Sequence, residues 1–191
     1  DLTGDKAQAK TLVLDLDSST PPAPGTVEHR RLVGKLAFFT ALGLPDSGVF
    51  STALRDIKPI EHRNKASDNG WSSCASCHED GHADNVTWIF PTGPRQTIPL
   101  ESAFVRLDLT NQRIFNWSGV QGSVTDFNNN ARGVQGGKGF ATKVNGVDNS
   151  AKAFNHGFTK GVSDSLDAMT EWVTTIRAPI LPQVTDNTGR E

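Results

Sequence analysis

The chain contains only two cysteines, and their spacing constrains what it can fold around. They stand three positions apart in the stretch WSSCASCHEDG, and a histidine directly follows the second. Residues three apart share one face of a helical turn, so both sulfur atoms can reach the two vinyl groups along one porphyrin edge. The histidine then projects beneath the iron as the proximal ligand. The pattern Cys74, Cys77, His78 is therefore typical of covalent attachment of one c-type haem.

Three other uses of the cysteines fit the sequence less well. A zinc site formed by both cysteines, His78 and His82 would place two ligands side by side, whereas Cys2His2 sites separate their ligand pairs by about a dozen residues. A thioredoxin-like CxxC motif needs a βαβ context, which the sequence does not indicate. A disulfide between thiols so close closes a very short loop and stabilises less than a long-loop bridge does.

The overall composition excludes some classes of function. The net charge of −2 does not indicate a nucleic-acid surface, which needs a basic excess. No apolar run approaches the roughly 18–20 residues of a membrane span. A hydrophobic fraction of 36%, with 18 glycines and 10 prolines, indicates a lean core and many loops. A buried porphyrin would add apolar surface to such a core, and five aromatic side chains are candidates to pack on it: Trp71, Trp88, Phe90, Phe115 and Trp117.

Two amphipathic stretches, residues 28–43 and 163–179, predict helices near the two ends of the chain. The predicted apolar stripes are Leu32, Leu36, Phe39 and Leu42 in the first helix, and Leu166, Met169, Val173 and Ile176 in the second. Residues 44–73 look irregular apart from one helical turn near 51–56, and residues 81–165 indicate long loops with short helices. Residues 11–19 predict one strand, followed by a proline-rich linker at 21–26.

Three blocks carry a resemblance to a known family. They read NGWSSCASCHEDGHADNVTWIFPTGPRQTIPL (69–100), FNWSGVQGSVTDFNNNARGVQGG (115–137) and NHGFTKGVSDSLDAMTEWVTTIRAP (155–179). Their order and wording resemble a bacterial mono-haem c-type cytochrome domain related to the C-terminal haem domain of the di-haem cytochrome c peroxidase and MauG superfamily. The resemblance implies an all-α, cytochrome c-like domain at residues 28–191 around one haem c, preceded by a strand and linker at 1–27.

The same resemblance implies a place in a larger protein. Such domains are often fused behind β-propeller repeats, and residues 11–19 look similar to the closing strand of a propeller blade. We therefore expect the chain to be the tail of a longer protein, with an upstream propeller or a separate redox protein as its partner. Covalent haem is normally attached outside the cytoplasm, which implies a periplasmic or secreted location.

The sequence also departs from the peroxidase pattern. Those enzymes carry two haems, whereas this chain has one attachment motif. Their FHDG-like block, which precedes a helix that supplies a distal methionine, is matched here by FNWSG and then NNNAR, with neither histidine nor methionine. The peroxidase-type ligand is missing, so peroxidase activity is not implied.

The sixth iron ligand has two candidates in the sequence, and an open site is the third possibility. His156 is preferred because about eighty residues separate it from the motif, enough for the chain to reach the opposite face of the haem. Met169 is the only thioether and the rival, although its place in an apolar stripe is explained by core packing. His82 is interpreted as a loop histidine or a neighbour of a haem propionate, His62 as a solvated side chain, and His29 as a surface residue.

The expected function is therefore electron transfer through one covalent haem. Arg95 is a candidate partner for a haem propionate through charge-assisted hydrogen bonds, and Trp88 is a candidate to pack on the porphyrin. The alternative is a peroxidase- or oxidase-like enzyme whose distal iron site is open or exchangeable.

Overall fold

The computed structural model describes residues 19–101, 103–105, 108–144, 147–148 and 160–178. Within these ranges the chain is mainly helical with long loops and several 3-10 turns, as the sequence predicts at this coarse level. The regular elements are α1 (Val27–Phe39), β1 (Thr87–Phe90), β2 (Gly93–Gln96), β3 (Phe104–Val105), β4 (Asp108–Gln112), α2 (Asn128–Gly133), β5 (Lys143–Val144), β6 (Val147–Asp148) and α3 (Asp164–Val173). The predicted strand at 11–19 lies, except for its last residue, outside the described residues.

Helix α1 begins and ends for local reasons. The Thr26 side chain accepts a hydrogen bond from the His29 backbone N–H at 3.2 Å and caps the first turn. The helix ends at Phe39 rather than at Gly43, because Thr40 is extended. The chain then turns, and the Leu42 carbonyl accepts the backbone N–H groups of Lys65 and Ala66, each at 3.0 Å.

The crossing of α1 and α3 decides which face of α1 is buried. A side-chain carbon on Gly34 would overlap the Ala168 carbonyl, so the two helices touch backbone to backbone at this point. This contact buries Val33, Ala37 and Phe38. The predicted stripe of α1 is therefore wrong at two positions, because Leu32 is 40% exposed and Phe39 is 39% exposed.

The interpretation of His29 as a surface residue is also wrong. Its side chain is fully buried, and its Nε2 lies 2.8 Å from the Thr52 carbonyl oxygen. This bond joins the first turn of α1 to the loop after the 3-10 turn Val49–Ser51. Charged neighbours in the sequence suggested exposure, but the burial follows from a contact 23 residues away.

Helix α3 forms within the predicted range 163–179, but it is shorter than predicted. The Ser163 side chain accepts the Leu166 N–H and caps the N-terminus, and the helix ends at Val173. All four residues of the predicted stripe are buried. A different face of α3 touches α1 through Ala168 and Trp172, and the Phe38 and Trp172 ring centroids are 4.5 Å apart.

Antiparallel hairpins occupy part of the region that was predicted to contain only loops and short helices. Strands β1 and β2 pair from Thr87↔Gln96 to Phe90↔Gly93, and Gly93 adopts a φ of 109° that favours glycine. Two further pairs, β3–β4 and β5–β6, are also antiparallel. The prediction failed here because strands of two to five residues are too short to show a clear alternation.

A buried polar cluster around Asp46 holds distant segments together. The Asp46 carboxylate accepts bonds from Lys65 Nζ and from Thr142 N (2.8 Å) and Oγ1 (2.6 Å). Its backbone carbonyl accepts the Asp164 N–H at 2.7 Å, at the start of α3. Because Lys65 is only 9% exposed, this ion pair is largely withdrawn from water.

Candidate haem-attachment site

Both cysteines lie on one short turn. The 3-10 turn Cys74–Ser76 begins with a reciprocal cap, in which the Ser73 N–H donates to Ser76 Oγ at 3.0 Å. The Cys74 carbonyl accepts the N–H groups of Cys77 (3.3 Å) and His78 (3.0 Å). Side chains three apart on a 3-10 turn are eclipsed, so the two thiols project to the same side.

The oxidation state and the pKa values of the two thiols help to distinguish between the possible functions of a CxxC pair. Both cysteines are free. Burial raises the pKa of the Cys74 thiol to about 12, and the neighbouring Cys77 thiol acts in the same direction. Burial and the Asp84 carboxylate raise the pKa of the Cys77 thiol. Redox-active dithiols depend on a lowered pKa, so this environment does not fit a thioredoxin-like function.

His78 has the environment of an imidazole held neutral. Burial lowers the pKa of His78, and the Arg113 guanidinium contributes in the same direction, against the raising effects of Asp84 and of nearby backbone groups. Its Nδ1 is buried without a hydrogen-bond partner. The ring centroid of Phe38, from the buried face of α1, lies 6.3 Å from that of His78. Neutral imidazole is the form that binds a metal ion.

The four residues of the alternative zinc site do not form a metal centre. Among the residues that the structure describes, no three or more His, Cys, Asp or Glu side chains come together to hold a metal ion. His82 Nδ1 instead lies 2.9 Å from Glu101 Oε2. Thioether attachment needs no such convergence, because each sulfur bonds a different carbon of the porphyrin.

Asp84 was missed by the sequence analysis, yet it influences two residues of the motif. Its carboxylate acts on the pKa values of both Cys77 and His78. It accepts the Trp88 Nε1–H at 2.8 Å and the Val86 N–H at 3.0 Å. The half-buried Trp88, a predicted haem neighbour, therefore donates a hydrogen bond to the same carboxylate that affects the pKa values of Cys77 and His78. The bond from the Val86 N–H to the side chain of Asp84, two residues earlier, forms an Asx turn. An Asp at a turn is the only sequence feature that indicates a role for this residue.

Arg113 is the cation that acts on the pKa of His78, and the role of Arg95 as a propionate partner stays a prediction. The predicted propionate partner Arg95 lies on β2, opposite Trp88, and its Nη1 donates to the Pro94 carbonyl at 3.2 Å. It lines an open surface cavity of about 370 Å³ together with Pro94, Gln96, Trp117 and Ser118. Arg113 lies 35 residues after His78 in the sequence and contributes to its pKa shift, which no local motif indicates.

The structure describes only one of the two candidate distal ligands, Met169. His156 lies outside the described residues. Met169 is 3% exposed and belongs to the hydrophobic core. This burial agrees with its predicted packing role, and its role as a ligand stays a prediction. His62, which the sequence does not favour as a ligand, is half-exposed, and its partial burial lowers the pKa of its imidazole.

The residues present fit a covalently attached haem. They provide two free thiols on one turn and, directly after it, an imidazole whose buried Nδ1 has no hydrogen-bond partner. None of the protein-family models, curated proteins or solved structures compared with this chain matches it. Within the described ranges, no helix combines the length and apolar character needed to cross a membrane.

Proposed function

We propose that this chain is an electron-transfer module that carries one covalently bound haem c. The observation that supports the proposal most directly is the single turn that carries Cys74 and Cys77, directly followed by His78, whose Nδ1 is buried. In this proposal the module is a c-type cytochrome domain of the peroxidase and MauG type, located in the periplasm or secreted. It belongs to a larger redox protein or complex, with an upstream β-propeller or a redox protein as partner.

Each residue of the site has a role in this proposal. Cys74 and Cys77 form the thioether links, and His78 supplies the proximal nitrogen. Arg113 and Arg95 offer guanidinium groups for the propionates. When bound, haem supplies one-electron exchange between ferric and ferrous iron. His156 is the preferred distal ligand, and Met169 is the alternative.

Exposed apolar side chains in and after the motif region of the sequence are consistent with the presence of a large apolar group. Five such residues between positions 71 and 120 are more than half exposed: Trp71 (59%), Ile89 (81%), Ile114 (72%), Trp117 (60%) and Val120 (69%). Large apolar side chains left exposed mark a binding site or an interface where they adjoin one another. A porphyrin, a partner protein or both would cover some of them.

The optical spectrum of the ferric protein tests the proposed function. The protein is produced with a haem-attachment system outside the cytoplasm and titrated with cyanide. Two strong axial ligands give a low-spin spectrum that cyanide does not change, which is the expected result for electron transfer. A high-spin spectrum with rapid cyanide binding would overturn the proposal in favour of the peroxidase-like alternative.

A further inference from the structure

The charges around the cysteine motif are strongly one-sided. Residues 66–94 contain four acidic residues and no lysine or arginine. This stretch carries −4, and because the whole chain carries −2, the remainder carries +2. Asp68, Glu79 and Asp80 are exposed and Asp84 is half-exposed. None of the four takes part in an ion pair in the described part of the chain.

An exposed indole lies between these carboxylates in the sequence and is held in place. Trp71 is 59% exposed, and its Nε1 donates to the Gln135 carbonyl at 2.9 Å. The same carbonyl accepts the Asp68 N–H at 3.0 Å, which places Asp68 beside the indole. Gln135 is itself buried, with 7% exposure, and next to it Val134 is 44% exposed. A side chain that is already fixed loses little freedom when a partner binds, and tryptophan is enriched among residues that dominate interfaces.

Along the chain, Trp71 and the acidic residues lie on both sides of the attachment turn. Trp71 precedes Cys74 by three residues, Ser76 is exposed, and Glu79 follows His78 directly. A protein that covers Trp71 and the carboxylates therefore lies next to the residues that would hold the haem. Complexes between redox proteins are small, often under about 1,200 Å² in total, so one tryptophan with a charged rim is an adequate centre.

We propose that Trp71, Asp68, Glu79 and Asp80 form the docking surface for a basic redox protein, one whose lysines or arginines surround its own redox centre. This inference rests on the proposed electron-transfer function. The sign of the charges selects the partner, since like charges facing each other disfavour an acidic protein and repel nucleic acid. Attraction between opposite charges speeds the encounter and orients it.

Electron-transfer rates of the haem-loaded protein with small ions test the charge part of the proposal. The probes are hexaammineruthenium, a cation, and hexacyanoferrate, an anion. Glu79→Gln/Asp80→Asn is compared with Asp56→Asn/Glu61→Gln, which changes the net charge equally at exposed positions outside the surface. At about 0.1 M salt, charges more than about 10 Å away are largely screened. We expect the first variant to slow the cation and speed the anion about two- to fivefold, and the control to change both less than 1.5-fold, as order-of-magnitude estimates.

A protein probe tests the tryptophan. The probe is a basic c-type cytochrome whose haem edge is ringed by lysines, and the readout is its rate constant divided by that of hexaammineruthenium for the same variant. We expect Trp71→Ala to lower this ratio about tenfold, which corresponds to about 1.4 kcal/mol. Ile60→Ala, a control at another exposed apolar position, should leave the ratio unchanged.

Equal effects in the target and control variants, for either probe, would overturn the docking surface. That outcome is distinct from failure of the proposed function, because it is read only after the unmodified protein has been shown to carry covalent haem and to exchange electrons. A protein without haem removes the function, whereas a loaded protein with no preference for the cationic probe removes only the docking inference.

Discussion

Gly34 of α1 lies directly against the backbone carbonyl of Ala168 of α3, and no side chain fits between them. At the same crossing, the ring centroid of Phe38 lies 4.5 Å from that of Trp172 and 6.3 Å from that of His78. The two helices therefore position Phe38 beside His78, the candidate haem ligand, and substitutions at the crossing should affect the site.

Replacing Gly34 with alanine should destabilise the fold. The added carbon would also approach Trp172 Cβ to 2.9 Å, so the helices must move apart. We expect the free energy of unfolding of the haem-loaded protein to fall by about 1–3 kcal/mol, the usual cost of overpacking. The measurement is chemical denaturation followed by the Soret band. Gly122→Ala, where a new carbon meets only a side-chain oxygen at 3.6 Å, should change the value by less than about 0.5 kcal/mol. Similar losses in both variants would contradict the close crossing.

The Asp46 cluster should contribute more to stability than an exposed ion pair. Asp46→Asn leaves Lys65 largely buried without its charge partner, and we expect a loss of about 3 kcal/mol. Glu171→Gln breaks the ion pair of Glu171 with Arg30, whose N–O distance is 3.2 Å and which is more exposed than the Asp46–Lys65 pair. This change should cost less than about 1 kcal/mol. Both variants are compared by denaturant midpoint. A loss at Glu171 as large as that at Asp46 would show that burial does not decide the difference.

The thiols of the haem-free chain should react slowly with an alkylating reagent. A pKa of about 12 for the Cys74 thiol, against an ordinary value of 9.0, lowers its thiolate fraction near neutral pH about a thousandfold. Because the folded pKa is raised, the alkylation rate should increase about tenfold for each pH unit up to that value. Mass spectrometry with iodoacetamide at pH 7.5 and 8.5 measures this, and the protein in denaturant is the control. Rapid alkylation of Cys74 without denaturant would contradict the buried thiol before haem attachment.

The sixth ligand can be assigned by two substitutions that differ in their effect on packing. Met169→Leu keeps the volume of a buried side chain and removes the sulfur, whereas His156→Ala removes the imidazole. We expect His156→Ala to convert the ferric spectrum from low spin to high spin and Met169→Leu to leave it unchanged. The opposite pair of results would assign the ligand to Met169, and no change in either variant would rule out both residues.

What the sequence could predict depends on how local the cause is. The α3 stripe was predicted correctly because its cause is local: Ser163 caps the helix, three of the four apolar positions lie on it, and Ile176 follows three residues after its end. The α1 face was not, because RRLVGKLAFF has apolar residues on two adjacent faces and only the contact of Gly34 with Ala168 chooses between them. The cysteine turn has a local motif and was predicted as a turn.

Long-range contacts could not be predicted from one sequence. Arg113 acts on His78 from 35 residues away, and Asp46 binds Thr142 across 96 residues. No periodicity or motif marks such pairs, because the intervening loops set them. The same limit applies to the distal ligand, which must reach the far side of the haem from a distant part of the chain.

The intact mass of the purified protein, produced with a haem-attachment system outside the cytoplasm, tests the central claim most directly. We expect the polypeptide mass plus one haem, retained after denaturation and acid–ketone extraction. The added mass should be lost in Cys74→Ala/Cys77→Ala and kept in Ala75→Ser, which alters the same turn without removing a thiol. A colourless protein at the mass of the bare polypeptide, or one that carries zinc instead, would contradict the account.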